Sequence, residues 1–424
     1  MVDRQSGARR GLVTASLLVS TLVLALCAVT LPRADAAEFA GVLRSKAFFG
    51  AFDAANGCDL WVTNGKGKGT RLFKNINPGP GHSWPWGFTR FGGRLFFTAY
   101  SDGVGSEPWV TDGTKKGTRL FKDLVKGPEG SSGGEFTRLG KRLFFAATRP
   151  DTGWELWVTD GRPKGTRLFK DIYPGPNDSL PEWFTRLGKR LLFRADDGAH
   201  GLELWVSDGT RKGTKLLKDI DQGPEPSYPL FFTRLGKRLL FAAGDDEHGE
   251  ELWITDGTRK GTRRLKDIYP GPQGSYPYDL ARLGKRIFFE AYDGEHGHEL
   301  WVTNGTRKGT RLFKDINPGF SDGDPEGMTR LGKRLYFQAD DGSHGMELWT
   351  TDGTRKGTKL VADIRAGAEG SFPHGFARLG KRLIFSAYRD ATGSEPWITN
   401  GKKKGTRQLK EIAPGNESSV FCAD

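Results

Sequence analysis

The sequence predicts an all-β fold, a single eight-bladed β-propeller built from eight 48-residue four-stranded repeats. Three observations carry this. Trp61, Trp109, Trp157, Trp205, Trp253, Trp301, Trp349 and Trp397 are spaced by 48 residues throughout. Asp or Asn follows each Trp by three residues, from Asn64 to Asn400; Gly comes next, and Gly-Thr stands eight residues after the Trp. The composition, 36% hydrophobic with 60 glycines in 424 residues, is that of a turn-rich β chain. Self-similarity at this period marks a stacked-repeat or propeller architecture.

The third copy shows the elements. Phe136 to Leu139 reads as a short strand and Gly140-Lys141 as a tight turn. Arg142 to Ala147 is a second strand, with Leu143-Phe144-Phe145 inside it. Asp151-Thr152-Gly153 lies in a loop. Glu155 to Thr159 is a third strand, Asp160 to Gly165 a hairpin loop, and Thr166 to Ile172 a fourth strand. β-branched and aromatic runs bounded by Gly, Pro and Asp support each assignment. A Pro/Gly-rich connector, 174–181, leads to the next copy. The Leu-Phe-Phe run is apolar on both faces of its strand, which suits a blade sandwiched between two neighbours. Each Trp can bury about 150–250 Å², about 4–6 kcal/mol as an upper bound, so it reads first as a packing residue.

Two rival architectures fit less well. An open solenoid wants atypical capping repeats, yet the copies are even to the last. Two four-bladed rings want a linker between copies four and five, and none is present. The ends also fall in phase, as a closed circle requires.

Residues 1–36 read as an export signal and 37–424 as the propeller; the alternative for the apolar run is an uncleaved membrane anchor, since it is nearly long enough to span a bilayer. Arg4, Arg9 and Arg10 precede an apolar run from Leu12 to Leu31, and Ala34-Asp35-Ala36 is a small-x-small cleavage site. A secreted or cell-surface protein is expected, a monomer with no membrane span once the signal is cleaved. Cleavage lowers the formal charge from +13 to +11, which suits polyanion partners without naming one.

Alternate turns of an antiparallel blade share a face. The Gly-Lys turns and Asp-Gly hairpins therefore lie together, on a basic face. Its hairpin tips carry 17 cations. Lys115, Lys116, Arg211, Lys212, Arg259, Lys260, Arg307, Lys308, Arg355, Lys356, Lys402, Lys403 and Lys404 are the candidate polyanion contacts. The connectors, on the opposite face, carry aromatics that come and go between copies: Trp84, Tyr228, Tyr276 and Phe372 at one phase, with Trp86, Trp183, Tyr278 and His374 near it. Packing explains what recurs in every copy and does not explain these. Aromatics beside acids and amides suit sugar rings.

No catalytic set stands out. His200, His248, His296 and His344 recur on four different blades, so they cannot share one ion. No metal site and no cofactor are expected. The best candidates for a unique acid cluster are Asp322, Asp324 and Glu326, in the sixth connector. The sequence thus favours an exported, non-enzymatic binding or scaffold propeller for polysaccharide or another polyanion. The alternative is a carbohydrate-active hydrolase or lyase with one site at the channel mouth. Cys58 and Cys422 fall on one face at the meeting of the last and first blades, so a disulfide between them is expected in an oxidising compartment.

Glu203-Leu204-Trp205-Val206-Ser207-Asp208-Gly209-Thr210 and its copies resemble the bacterial proteins named for the ELWxxDGT repeat. Pro108 and Pro396 replace Leu in copies two and eight, and Asp59 replaces Glu in copy one. The resemblance implies an exported repeat protein and no established reaction.

Overall fold

Eight four-stranded antiparallel sheets follow one another along the chain and close into a ring. They form an eight-bladed β-propeller in a computed structural model that describes residues 40–415 and 417–419. The export signal and Cys422 lie outside the described residues. Blade three has strands Gly134–Leu139, Arg142–Arg149, Gly153–Thr159 and Arg167–Lys170, in sheet order as in the chain. The turn and hairpin fall where the sequence predicts them. First strands of neighbouring blades lie against one another, and Thr233 Oγ1 donates to the Leu280 carbonyl across one such boundary at 2.6 Å. The first strand of every blade therefore lines the central channel.

The motif residues explain the blade. Phe144 faces blade four and Phe145 faces blade two, so the second strand is buried on both sides. Trp205 packs against the apolar side chains of the preceding blade. The amine of Lys170 lies 5.8 Å from the centroid of that ring and donates to the Thr214 carbonyl at 2.7 Å. Gly161 is left-handed at φ 88°. A Cβ on Gly165 would sit 2.2 Å from Asp160 Oδ1, so both glycines are obligatory. The Thr159 and Thr166 hydroxyls meet at 2.7 Å across the base of the hairpin.

Blades two and eight show what the proline departures do. Their fourth strands shrink to Arg119–Leu120 and Arg407–Gln408. Elsewhere the Leu at this position pairs with the fourth strand, as Leu156 does with Lys170. Pro108 and Pro396 have no N–H for that pairing. Their carbonyls still accept from Phe121 and Leu409, at 2.8 Å each.

The ring closes without a strand exchanged between chain ends. Blade one contains four strands of its own, Ala40–Leu43, Lys46–Asp53, Gly57–Thr63 and Arg71–Lys74. At the seam the Phe52 N–H donates to the Ser419 carbonyl at 2.7 Å, the counterpart of Tyr100 to Ser83 and Tyr292 to Ser275. Lys410 donates to the Thr70 carbonyl and covers Trp61. Among the described residues no helix is long and apolar enough to cross a membrane.

Candidate functional site

The repeated acid of each copy is used by the fold. Glu155 Oε2 accepts the Ile172 N–H at 2.7 Å, and Oε1 accepts the Tyr173 N–H at 3.0 Å. The same pair of bonds recurs at Glu203, Glu251, Glu299, Glu347 and Glu395. Burial pushes Glu155, Glu203 and Glu251 up to about 7 and Glu299 up to about 8, against the accepted hydrogen bonds. These acids tie the third strand to the connector that leaves the blade. The recurring histidines are likewise loop braces. His200, His248, His296 and His344 each set Nδ1 2.8–3.0 Å from the Asp three residues earlier. That Asp bond raises His200, His296 and His344 above the ordinary histidine value.

The basic face forms as the alternation of turns requires. Arg94, Arg142 and Arg286, just after the turns between first and second strands, donate to the hairpin carbonyls of Gly161, Gly209 and Gly353 at 2.7–3.0 Å. These contacts place both kinds of turn on one side. All thirteen candidate polyanion residues are exposed. Two of them also have structural work. Arg211 Nε donates to the Phe169 carbonyl and Arg355 Nε to the Phe313 carbonyl, at 2.7 and 2.8 Å. The remaining eleven make no side-chain hydrogen bond or ion pair among the described residues.

On the other face, the connectors form a rim around the channel mouth. One phase of it is left-handed in every described copy: Trp84, Ser132, Leu180, Tyr228, Tyr276, Asp324 and Phe372 have φ between 39° and 49°. Bulky residues rarely adopt this conformation. The backbone there is set by a repeated bond, as when the Phe372 N–H donates to the Met346 carbonyl at 3.0 Å. Ser132 makes the same bond as Phe372, so the fold does not select an aromatic. Yet Trp84, Tyr228, Tyr276 and Phe372 are 43–50% exposed, four of the five large apolar side chains that the described residues expose.

No family model matches this chain. No curated protein matches it either. Solved structures resemble it in fold: puromycin hydrolase at TM-score 0.50 and 15% identity, over 84% of this chain and 61% of that one; the computationally designed Ika8 protein at TM-score 0.48 and 13% identity, over 77% and 86%; and the β-propeller domain of the Trilobed protease from Pyrococcus furiosus at TM-score 0.44 and 11% identity, over 77% and 97%. The chain thus spans about three-fifths of the puromycin hydrolase chain, and these likenesses concern the fold alone.

Inside the rim, the start of the first strand in blades two to eight bulges where its register shifts against the second strand. Glu135, Trp183, Phe231 and Asp279 occupy one left-handed position of these bulges. Trp183 is therefore not a rim residue as the sequence suggests. It is buried, edge-on to Phe231 at 4.8 Å, and Phe231 is edge-on to Tyr278 at 4.5 Å. Tyr278 and Trp86 are half-buried and His374 is exposed. His82 lies parallel to Trp84 at 5.0 Å.

The sixth-connector acids Asp324 and Glu326 meet residues that sequence reasoning missed. Glu290, on the second strand of blade six (Arg286–Tyr292), sets Oε1 2.9 Å from His298 Nδ1. Gln338 of blade seven donates to Glu326 Oε2 at 2.8 Å. Glu290 is raised to about 7, by burial first and also by the charges of Glu326 and Asp324, against the His298 contact. Glu326 and Asp324 are also raised, by burial first. The available signal was a failure of the repeat inside a strand. Gly50, Thr98, Ala146, Arg194, Ala242, Glu290, Gln338 and Ser386 share one phase of an otherwise apolar strand.

Proposed function

We propose that this chain is an exported, non-enzymatic propeller that binds polysaccharide at the connector-face mouth of its channel. The observation that carries the reading is the set of Trp84, Tyr228, Tyr276 and Phe372. They are exposed at one repeated phase whose backbone accepts serine equally well. Aromatic faces set around a concave mouth, with acids and amides between them, match the stacking and hydroxyl bonding that pyranose rings require. Several equivalent aromatics suit a repetitive polymer, since neighbouring sugars can engage neighbouring blades and gain avidity. Export rests on the sequence of residues 1–36, and the ELWxxDGT-repeat resemblance agrees with it. The eleven uncommitted cations of the opposite face suit a second contact, with an acidic polysaccharide or another extracellular polyanion. A glycan array, run beside a reducing-end assay on the polysaccharides that bind, tests the reading. Binding without release of reducing ends is expected; turnover would replace the binder with a carbohydrate-active enzyme.

A further inference from the structure

We propose that the mouth between blades six and seven is a subsite for a protonated amine carried on a sugar ring, held by Glu290, Glu326 and Asp324. The inference rests on the saccharide reading above and names the sugar class, an amino sugar with its amine free.

Glu290 is 5% exposed, and its Oε2 has no hydrogen-bond partner among the described residues. An ionisable acceptor buried and left unpaired is costly, so its retention asks for a ligand. The fold does not demand it, because glycine, alanine and serine fill the same phase in other blades. Asp324, Glu326 and Tyr278 are half-buried around it, and the His298 side chain is 31% exposed. The group therefore grades from solvent to core.

The acids outnumber the bases. Among the described residues no lysine or arginine pairs with Glu290, Asp322, Asp324 or Glu326, and His298 is the one ionisable base in contact with Glu290. Blade four shows the contrast at the same two phases. There Arg194 forms an ion pair with Glu182, so the internal cation is present. In blade seven the corresponding pair is Gln338 and Glu326, which leaves the carboxylate charge unmet. Gln338 Oε1 is a second buried acceptor with no partner.

The chemistry of the guest follows. No three potential metal ligands among the described residues are grouped to hold an ion. Scattered carboxylate oxygens instead suit an ammonium group, which donates three hydrogen bonds in different directions. Tyr278, half-buried beside Glu326 and Glu290, brings an aromatic ring to the acids, which suits a cation borne on an apolar-faced ring.

Calorimetry on the full chain tests this with three probes: a β-1,4 tetramer of glucosamine, its fully N-acetylated counterpart, and cellotetraose. The free-amine tetramer should bind at least tenfold more tightly than the other two, the worth of a charge-assisted hydrogen bond. Glu290→Gln and Glu326→Gln should each erase that preference, while Tyr276→Ala should weaken all three. Should Glu290→Gln fail to fold, the more exposed Glu326→Gln carries the same test. Equal binding of the three probes, or a preference that survives both Gln variants, overturns the amine subsite and leaves the saccharide reading standing. Silence of every sugar class on the array overturns both.

Discussion

Replacing Glu155 by Ala tests whether the repeated acid is a structural tie held close to neutrality. The side chain is fully buried and accepts two backbone N–H groups, from Ile172 and Tyr173. Alanine leaves both donors without a partner, at about 1–3 kcal/mol each, so a loss of about 2–6 kcal/mol is expected before any cavity cost. The pH dependence is more diagnostic than the loss itself. Burial raises the carboxyl from 4.5 to about 7, so the folded state holds this proton more tightly than the unfolded chain does. The parent protein therefore loses stability as pH rises from about 4.5 through about 7, by about 3 kcal/mol for this group. The variant lacks that slope, and its deficit should be greatest near pH 5 and smaller at pH 8. Urea denaturation midpoints of parent, Glu155→Ala and Glu155→Gln at pH 5, 6, 7 and 8 measure it. A deficit that grows with pH would mean that the two N–H donors hold the carboxylate as an anion, and would refute the argument.

Tyr228→Ala, Tyr276→Ala and Phe372→Ala should each cut saccharide affinity several-fold while leaving the melting temperature within a degree or two, because these side chains are half-exposed; a fall in stability without a fall in binding would make them packing residues. Reversing Lys402, Lys403 and Lys404 to Glu should weaken retention on immobilised heparin and flatten its salt dependence, since fewer counterions are released; elution at unchanged salt would count against a polyanion face. A Cys58–Cys422 disulfide should appear in non-reducing peptide maps of the exported protein and, by closing a loop of several hundred residues, add about 5 kcal/mol; free thiols at both positions would end that proposal.

The ring was legible because its determinants are local and repeated eight times. The Asp-Gly or Asn-Gly hairpin, the apolar run of the second strand and the Trp spacing each specify a contact that recurs in every blade. The alternation of turns also placed the basic tips on one face. Which strand lines the channel was not legible, because both edges of a blade look alike in a sequence. The repeat also drew attention away from the second strand. Its Leu-Phe-Phe core dominates the pattern, and Glu290 sits just beyond it, where one odd residue in a blade looks like drift. Trp183 misled for a related reason. It lies one residue past the phase of Trp86, and in a bulged strand one residue separates the rim from the channel wall. Arg211 and Arg355 look identical to their free neighbours, since their acceptors are carbonyls on another blade, at a sequence distance of 42.

The seam between blades eight and one has the same parts as the interior joints, and this frees the gene from its present order. Phe52 to Ser419, Lys410 to Thr70 and Arg382 to Gly65 repeat the bonds by which each blade holds the next. A circular permutant that joins the present ends and opens instead at an exposed connector, such as the one around Gly223, would recreate every joint from its own residues. It would also shift the unequal blades six and seven to a new place in the order of synthesis. The aromatic rim and the acidic corner would then emerge from the ribosome at different times while occupying the same places in the folded ring.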